Sequence, residues 1–166
     1  LRGIGTNRNP AVYNVPVTEF ADTFRPVILN GKLNYSTGEM IVFTNETMDA
    51  AQGVDLSKFF LNNATGKNAI NLDGASVFQD TGLSMRIKLL EWQRVAAVAI
   101  SGVRGGDGQQ IVMDVLDDAV IDLAGNPAAA VYGRYVEEFP DNILPKIMGA
   151  EINYDNGIIL IKSSEM

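Results

Sequence analysis

The chain has 166 residues, of which 46% are hydrophobic, 20 are acidic and 13 are lysine or arginine, giving a formal net charge of −7. This balance disfavours binding to nucleic acids, which needs a positive footprint, and to anionic membranes. Cysteine and histidine are both absent. Their absence removes thiol nucleophiles, imidazole bases and the common zinc ligands, so we expect a protein that is not an enzyme.

A segment of the sequence occurs twice, at an offset of 119 residues and without a gap, because Val12–Thr47 aligns with Val131–Met166. Chance would leave roughly two of the aligned positions identical, but twelve are. Within the first copy these positions are Val12, Tyr13, Val17, Glu19, Phe20, Asp22, Pro26, Ile28, Asn34, Tyr35, Gly38 and Glu46. A fixed period with matched turn residues indicates a repeat, and this period has the size of a whole domain.

The duplication divides the chain into three predicted pieces. Residues 1–18 are the tail of one repeat, residues 19–137 are a complete repeat, and residues 138–166 are the head of the next. A single domain with a chance duplication is the alternative, which twelve identities in an ungapped window disfavour. The predicted inter-repeat junctions contain Phe20, Asp22 and Pro26 and their counterparts Phe139, Asp141 and Pro145. Each Phe either fills the seam between neighbouring units or is the first core residue.

The first predicted elements form a β-hairpin. Ala11–Val17, which lies among prolines, is expected to be an edge strand or a connector between units. Pro26–Tyr35 and Met40–Thr44 flank the turn at Ser36–Gly38, and the second copy repeats this turn at Asp155–Gly157. Alternating apolar residues around such a turn are typical of a hairpin.

The middle of the chain predicts further short strands. Asp55 is placed to cap a short turn that leads into a strand over Ser57–Asn62. Short strands are expected over Ala69–Leu72 and Ser76–Gln79. Leu83–Leu89 alternates strictly between apolar and polar residues, which is the pattern of a half-buried strand.

One short helix is predicted over Leu90–Ile100. Trp92, Val95, Ala96 and Ala99 follow helical spacing, so we expect this face to point into the core. Trp92 would then be a core anchor, and the alternative is a platform on which a sugar stacks.

The last third of the complete repeat returns to β-structure. The Gly-rich stretch Ser101–Gln109 is interpreted as a loop and not as a phosphate cradle, because a strand over Gln110–Leu116 follows it and not a helix. Asp117–Leu123 is a further short strand, and the connector near Val131–Asp141 is expected to limit bending between units. Seven or eight short strands with regular turns predict a mainly β fold, as a β-sandwich.

Two short motifs suggest a family. The segment 122–127, Asp-Leu-Ala-Gly-Asn-Pro, resembles the Asp-x-Ala-Gly-Asn signature near the end of bacterial-type immunoglobulin-like repeats of surface-layer proteins and adhesins. The segment 22–26, Asp-Thr-Phe-Arg-Pro, resembles the opening of such repeats, and similar modules occur in extracellular fibre proteins such as flagellar hairs (mastigonemes). The resemblance spans Asp22–Ala130. It implies immunoglobulin-like β-sandwiches in tandem repeat, with the helix as an insertion, at the cell surface or outside the cell.

Two kinds of modification or ligand site are candidates. N-glycosylation sequons begin at Asn34, Asn45 and Asn63, all at predicted turns or strand ends where a glycan can project; the alternative is bare turn asparagines. The densest acidic region, which contains Asp107, Asp114, Asp117, Asp118 and Asp122, is a candidate for Ca²⁺, although its spacing does not match an EF-hand loop. The alternative is solvated carboxylates, with Asp122 and Asn126 fixing a turn. No other cofactor is expected.

Two hypotheses of function follow. The first is a structural repeat segment of an extracellular filament or surface appendage, whose partners are copies of itself joined as a covalent array or by strand donation. The second is an adhesin or carbohydrate-binding module. The second hypothesis requires exposed aromatic side chains on loops, for which the candidates are Tyr35 and Phe78.

Overall fold

The computed structural model describes residues 10–49, 53–64, 70–80 and 82–164. The sequence-based interpretations of residues 1–9, Thr65, Glu165 and Met166 therefore lie outside the described residues. The strands are β1 Ile28–Asn34, β2 Glu39–Thr44, β3 Phe59–Asn62, β4 Ile70–Asn71, β5 Ser76–Asp80, β6 Ser84–Lys88, β7 Val112–Val115, β8 Val131–Phe139, β9 Ile147–Asn153 and β10 Ile158–Ser163. One helix, α1 Glu91–Ala99, and a 3₁₀ turn, Leu56–Lys58, complete the described elements. The predicted mainly β fold with one short helix is confirmed.

Eight strands form one curled sheet in the order β4-β3-β7-β8-β1-β2-β6-β5. β8 occupies the middle of this sheet. Its first half pairs antiparallel with β7, and its second half, from Val136 to Phe139, pairs parallel with β1. The other neighbouring strands of the sheet pair antiparallel.

One buried cluster forms the core, and strands from both halves of the curled sheet contribute to it. Alternation along the strands sends Met40 and Val42 of β2, and Met85 and Ile87 of β6, to the same buried cluster. Side chains of the other half join this cluster, including Phe59, Leu61, Met113 and Val115. The strict alternation predicted over 83–89 is thus confirmed, except that Leu83 itself is exposed.

The prediction of a connector near Val131–Asp141 is wrong, because nine of these residues form β8. Gly133 has a positive φ of 64°, which a residue with a side chain adopts only at a cost. This bend lies at the register shift within the pairing of β8 with β7, between Val131 and Arg134, so the buried residues of β8 do not alternate evenly. The strand changes partner later, at Val136. The predicted boundary between residues 137 and 138 lies within the strand.

The prediction of a strand over Asp117–Leu123 is also wrong. The structure has isolated bridges here, Val120 with Val54, Asp122 with Met48 and Ile121 with Pro127. The positive φ of Asp118, 57°, interrupts the extended backbone at the start of this segment.

Helix α1 forms where it is predicted, but it packs through a different face. Its buried residues are Gln93, Arg94 and Ala97, whereas Trp92 is 52% exposed. The predicted core role of Trp92 is therefore wrong. Gln93 is buried because its side chain accepts a hydrogen bond from the Leu90 N–H at 2.8 Å and donates to two backbone carbonyl groups of the β4–β5 region. Satisfied hydrogen bonds thus determine the inward face.

β9 and β10 form a separate two-stranded hairpin. Apolar residues on both of its faces are exposed. In the described part of the chain, no helix is long and apolar enough to cross a membrane.

Candidate inter-unit junctions

The two motifs that suggested a family lie against each other at the start of β1. The Asn126 side-chain amide donates to the backbone carbonyl of Asp22 at 3.3 Å. Arg25 donates to the backbone carbonyls of Pro127 at 2.7 Å and Ala128 at 3.1 Å. Segment 22–26 is therefore held on the loop at 122–127. We call this contact the N-terminal junction.

The loop at 122–127 is organised by one carboxylate. Asp122 Oδ1 accepts hydrogen bonds from the backbone N–H groups of Ala124 and Asn126, both at 2.8 Å, and Oδ2 accepts from the Asn126 side chain at 2.9 Å. Burial by itself would raise the pKa of Asp122, but these hydrogen bonds outweigh it and hold the pKa below its ordinary value. Asp122 and Asn126 thus fix a turn, as one of the sequence-based alternatives states.

Three carboxylates meet beside this loop. The carboxylate oxygens of Asp22, Glu46 and Asp122 lie within 4.8 Å of one another, an arrangement that could hold a cation. Glu46 Oε1 is buried without a hydrogen-bond partner. Burial, followed by the negative charges of Asp22 and Asp122, raises the pKa of Glu46. The sequence interpretation missed this cluster, although Asp22 and Glu46 are both among the twelve repeated identities.

A second junction forms around Arg94 where the chain leaves β8. Arg94 Nη1 donates to the Tyr35 carbonyl and to Asp141 Oδ2, both at 2.9 Å. Its Nε and Nη2 donate to the Glu91 carboxylate at 2.8 and 2.6 Å. The hydrogen bonds to Glu91, and then the hydrogen bond to Asp141, raise the pKa of Arg94 despite its burial. Arg94 thus joins α1, the β1–β2 turn and the segment after β8, and we call this the C-terminal junction.

Asp141 is held by the backbone as well as by Arg94. Its Oδ1 accepts from the Ile143 N–H at 2.9 Å, and this bond, helped by Arg94, lowers the pKa of Asp141. The Asn142 N–H donates to Ser36 Oγ at 2.9 Å. The departing chain is therefore attached to the β1–β2 turn in two ways, by the bond from Asn142 to the Ser36 hydroxyl and by Arg94, which bonds both Asp141 and the Tyr35 carbonyl.

Tyr35 lies fully buried beneath this turn. Its hydroxyl donates to Glu138 Oε1 at 2.7 Å. Burial, then the hydrogen bond to Glu138, raises the Tyr35 pKa. The expectation that Tyr35 is an exposed aromatic candidate is therefore wrong, whereas Phe78 is 49% exposed.

The remaining junction residues occupy different surroundings at the two ends. Phe20 is 89% exposed, and Phe139 is 40% exposed with Lys32 Nζ 5.9 Å from its ring centroid. Pro26 is buried, whereas Pro145 is exposed. The local turn is nevertheless the same, because Asp22 Oδ1 accepts from the Phe24 N–H at 3.0 Å, as Asp141 does from Ile143.

The hairpins that follow the two junctions have the same geometry. In β1–β2, Asn34 pairs with Glu39, and a register shift separates the pair Asn30–Phe43 from Ile28–Thr44. In β9–β10, every pair recurs 119 residues later, including the shift. The turn glycines Gly38 and Gly157 have positive φ values of 65° and 70°. A backbone hydrogen bond closes both hairpins in the same way. The Asn45 N–H donates to the Val27 carbonyl at 3.1 Å, and the Ser164 N–H donates to the Lys146 carbonyl at 2.8 Å.

No protein-family model matches the chain, and no curated protein matches it. A solved structure is similar. It is the N-terminal part of the bacterial S-layer protein SbsC, with a TM-score of 0.45 and 12% sequence identity. The match covers 85% of this chain and 31% of that chain, so this chain spans less than a third of the length of that structure.

The structure does not bring the predicted calcium residues together. Asp107 accepts from the Asn63 side chain, Asp114 from the Asn62 side chain and the Gly133 N–H. Asp117 and Asp118 lie near Arg25, at 3.9 and 3.5 Å. In the parts of the chain that the structure describes, the grouped carboxylates are those of the N-terminal junction.

The three sequon asparagines differ in exposure. Asn45 is exposed, and its Oδ1 accepts from the Val27 N–H at 2.6 Å. Asn34 is half-buried and accepts from the N–H groups of the turn that follows it. The Asn63 amide donates to Asp107 at 2.6 Å.

Proposed function

We propose that the chain is a structural, non-catalytic segment of an extracellular filament or cell-surface appendage, made of immunoglobulin-like β-sandwich units in tandem, whose partners are copies of itself. The observation that carries the proposal is the hairpin geometry that recurs at the offset of the sequence repeat. Two hairpins with one register, one bulge and one closing bond are expected when the same domain begins twice.

The sandwich part of the proposal is supported by the position of β8. This strand joins the half-sheet β4-β3-β7 to the half-sheet β1-β2-β6-β5, and both halves contribute to a single core. Two layers around one core are the basis of a β-sandwich. Because β8 bridges the two layers at one edge, the ladder of backbone hydrogen bonds continues from one layer into the other.

The strand directions support a linear arrangement of units. β1 and β8 are parallel, so both strands end at the same end of the sheet. The N-terminal junction lies where β1 begins, and the C-terminal junction lies where β8 ends. A chain that enters a unit at one end and leaves at the other places successive units in a row, as a fibre requires.

The proposal is tested by electron microscopy of material from the source cells, labelled with antibodies against this chain. We expect label on filaments or on a surface layer, with a regular axial period in power spectra. Label on dispersed molecules, or label within the cytoplasm, would contradict the proposal. An antibody absorbed with the purified chain is the control.

The exposed Trp92 favours the alternative, an adhesin or carbohydrate-binding module. Leu90 and Val95, two residues before it and three residues after it in the sequence, are 39% and 38% exposed. Aromatic faces exposed to water are suited to stacking on sugars. Titration of the chain with oligosaccharides by isothermal calorimetry tests this alternative. Saturable binding that Trp92→Ala abolishes, with no filaments in the cells, would move the assignment to the binding module.

A further inference from the structure

We propose that the outer edge of β9 binds the Val12–Phe20 segment of a second copy of this chain, which adds there as a parallel strand. The inference rests on the proposed function, because it names the contact by which copies join. Its basis is a complete example of the same contact within the chain, the pairing of β8 with β1.

The donor segment resembles β8 in sequence and in backbone. Five of the nine residues of Val12–Phe20 are identical to those of β8 at the offset of 119. Asn14 has a φ of 54°, and its counterpart in β8, Gly133, has a φ of 64°. A positive φ is uncommon for a residue with a side chain. The segment therefore already has the backbone bend that β8 has at Gly133, so less conformational freedom is lost on binding.

The donor segment is exposed along its length. Val12, Tyr13, Val15, Val17 and Phe20 are between 62% and 89% exposed. The structure assigns no strand to residues 12–20. In β8 the counterpart of Val17, Val136, is fully buried. An exposed apolar segment with the sequence of a central strand is suited to pairing with another chain.

The acceptor is the edge of β9 that corresponds to the β8-bound edge of β1. In the described residues β9 pairs with β10 and with no other strand. An isolated two-stranded hairpin is marginally stable in water, and a third strand is what such a hairpin needs for independent stability. The strand positions that are fully buried in β1–β2 are exposed here, Ile152 by 49% and Ile161 by 61%.

The register of the contact follows from the offset. β1 and β8 pair through Gly31–Val136, Lys32–Glu137, Leu33–Glu138 and Asn34–Phe139. The corresponding pairs between the two copies are Ala150–Val17, Glu151–Thr18, Ile152–Glu19 and Asn153–Phe20. The residue opposite the valine is small in both cases. Pro16, which has no N–H, lies outside these four pairs and does not interrupt them.

Side-chain and backbone bonds beyond the ladder can also recur. In the template, the Tyr35 N–H donates to the Phe139 carbonyl at 3.0 Å, and the Tyr35 hydroxyl donates to Glu138 at 2.7 Å. All three residues are unchanged in the second set, as Tyr154, Phe20 and Glu19. Tyr154 is 86% exposed and so accessible to this partner.

The geometry predicts open chains of copies and not closed dimers. The donor and the acceptor are different surfaces of one molecule, so the contact is heterologous and does not close on itself. The average mass measured by sedimentation velocity should therefore rise with concentration beyond that of a dimer.

Two proline variants test the contact in the full chain. Within the chain, the Tyr35 N–H faces β8, and N–H groups alternate in direction along a strand. Leu33 of β1 and Glu137 and Phe139 of β8 therefore direct their N–H groups towards the paired strand. Their counterparts, Ile152, Thr18 and Phe20, should do the same across the interface. Thr18→Pro removes a donor-strand N–H, and Ile152→Pro removes one from β9. Each should raise the concentration needed for association at least about tenfold. Val15→Pro, outside the pairs, should change it less than about twofold.

Mixing the variants gives the decisive measurement. Thr18→Pro retains a normal hairpin and Ile152→Pro retains a normal donor segment, so a mixture should form one-to-one dimers and nothing longer. Both sites lie outside the core, and unchanged thermal unfolding of the variants verifies their fold. A mixture that remains monomeric, Thr18→Pro that associates like the parent chain, or a parent chain that is monomeric to about 1 mM would overturn the proposal.

These outcomes are separable from the test of the proposed function. Labelled filaments in the cells together with a monomeric purified chain would remove strand addition and leave the structural assignment. Association of the purified chain without surface or filament label would remove the structural assignment and leave strand addition.

Discussion

Arg94 is the residue on which the C-terminal junction depends. It is 7% exposed and satisfies the Tyr35 carbonyl, Glu91 and Asp141 together. Arg94→Met should lower the free energy of unfolding by about 2–3 kcal/mol, less than for a fully buried ion pair, because both carboxylates keep contact with water. Urea denaturation followed by circular dichroism measures this loss. The exposed Arg104 supplies the control, and a stability of Arg104→Met equal to that of Arg94→Met would contradict the prediction.

Glu46 gives the N-terminal junction a defined dependence on pH. Its pKa is raised from 4.5 in the folded chain, by burial and then by Asp22 and Asp122. A raised carboxyl pKa means that the fold favours the protonated form, so stability is lost as pH rises from 4.5 through the folded value. Glu46→Gln should therefore be more stable than the parent chain at neutral pH, with the advantage fading towards pH 4.5.

The control for Glu46 removes a carboxylate elsewhere in the same hairpin. Glu39→Gln deletes an equal charge at the start of β2, away from the three-carboxylate cluster. It should not reproduce the gain in stability at neutral pH. Thermal unfolding of both variants across the pH series measures the difference. A Glu46→Gln chain that is less stable than the parent at pH 7 would refute the prediction.

Among the sequon asparagines, Asn45 has the surroundings that fit a glycan best. It is exposed, whereas the amide of Asn63 is used in a bond to Asp107, and Asn34 lies half-buried at the β1–β2 turn. In material from a secreting eukaryote, we expect Asn45 to carry the highest glycan occupancy. Intact mass spectrometry with Asn45→Gln and Asn63→Gln as a matched pair measures this. An intact mass equal to that of the bare sequence would eliminate glycosylation.

At the scale of elements, the two hairpins share a turn but differ in their support. Gly38 and Gly157 both have positive φ, where alanine is strained by about 1–2 kcal/mol. The β1–β2 hairpin belongs to the core, whereas β9–β10 stands apart. Gly38→Ala should therefore lower the free energy of unfolding by about 1–2 kcal/mol. Gly157→Ala should leave the urea denaturation of the unit that contains β1–β2 unchanged.

The Gly38 comparison includes a way to separate strain from contact. A Cβ at Gly38 would lie 3.4 Å from Arg94 Cδ, an ordinary contact, so the backbone angle dominates the cost. Asparagine tolerates positive φ, and Gly38→Asn should recover part of the stability that alanine loses. If Gly157→Ala destabilises the unit as much as Gly38→Ala does, the second hairpin is part of the same cooperative unit.

The elements that sequence reasoning predicts well are those with a strong local signal. The hairpin turn residues and the alternation over 83–89 determine β1, β2 and β6 without help from distant contacts. β8 was not predicted as a central strand because a register shift at Gly133 and a change of partner at Val136 break the alternation on which sequence reasoning relies. For α1, polar side chains that satisfy distant carbonyls override the apolar stripe.

The candidate site divides in the same way. Asp22 and Asp141 were predictable because their identity recurs at a fixed offset. Arg94 contacts Asp141, which lies 47 positions away in the sequence, and Glu46 lies beside Asp122, which is 76 positions away. No local sequence pattern reveals contacts over such separations. Repetition thus revealed where the junctions are, whereas the groups that hold them together required the fold.

At the scale of the whole molecule, the repeat makes a prediction about a larger chain. Residue 164 corresponds to residue 45, so residues 46–139 can be appended after residue 164 to complete a second unit around β9–β10. Leu33, Met40 and Val42 of the first core are replaced by Ile152, Ile159 and Ile161. Such apolar exchanges of similar volume are tolerated in cores.

The extended chain should fold into two units, and amide hydrogen exchange reports it directly. In the parent chain the β9–β10 amides belong to a two-stranded hairpin and should exchange rapidly. In the extended chain the amides of Ile152, Ile159 and Ile161 should be protected at least about a hundredfold more strongly, because they open only with the second unit. Appending the same residues in scrambled order is the control, since it adds length without a fold. Equal exchange in both extended chains would mean that the two hairpins share a geometry but not a domain, and the tandem arrangement would then be wrong.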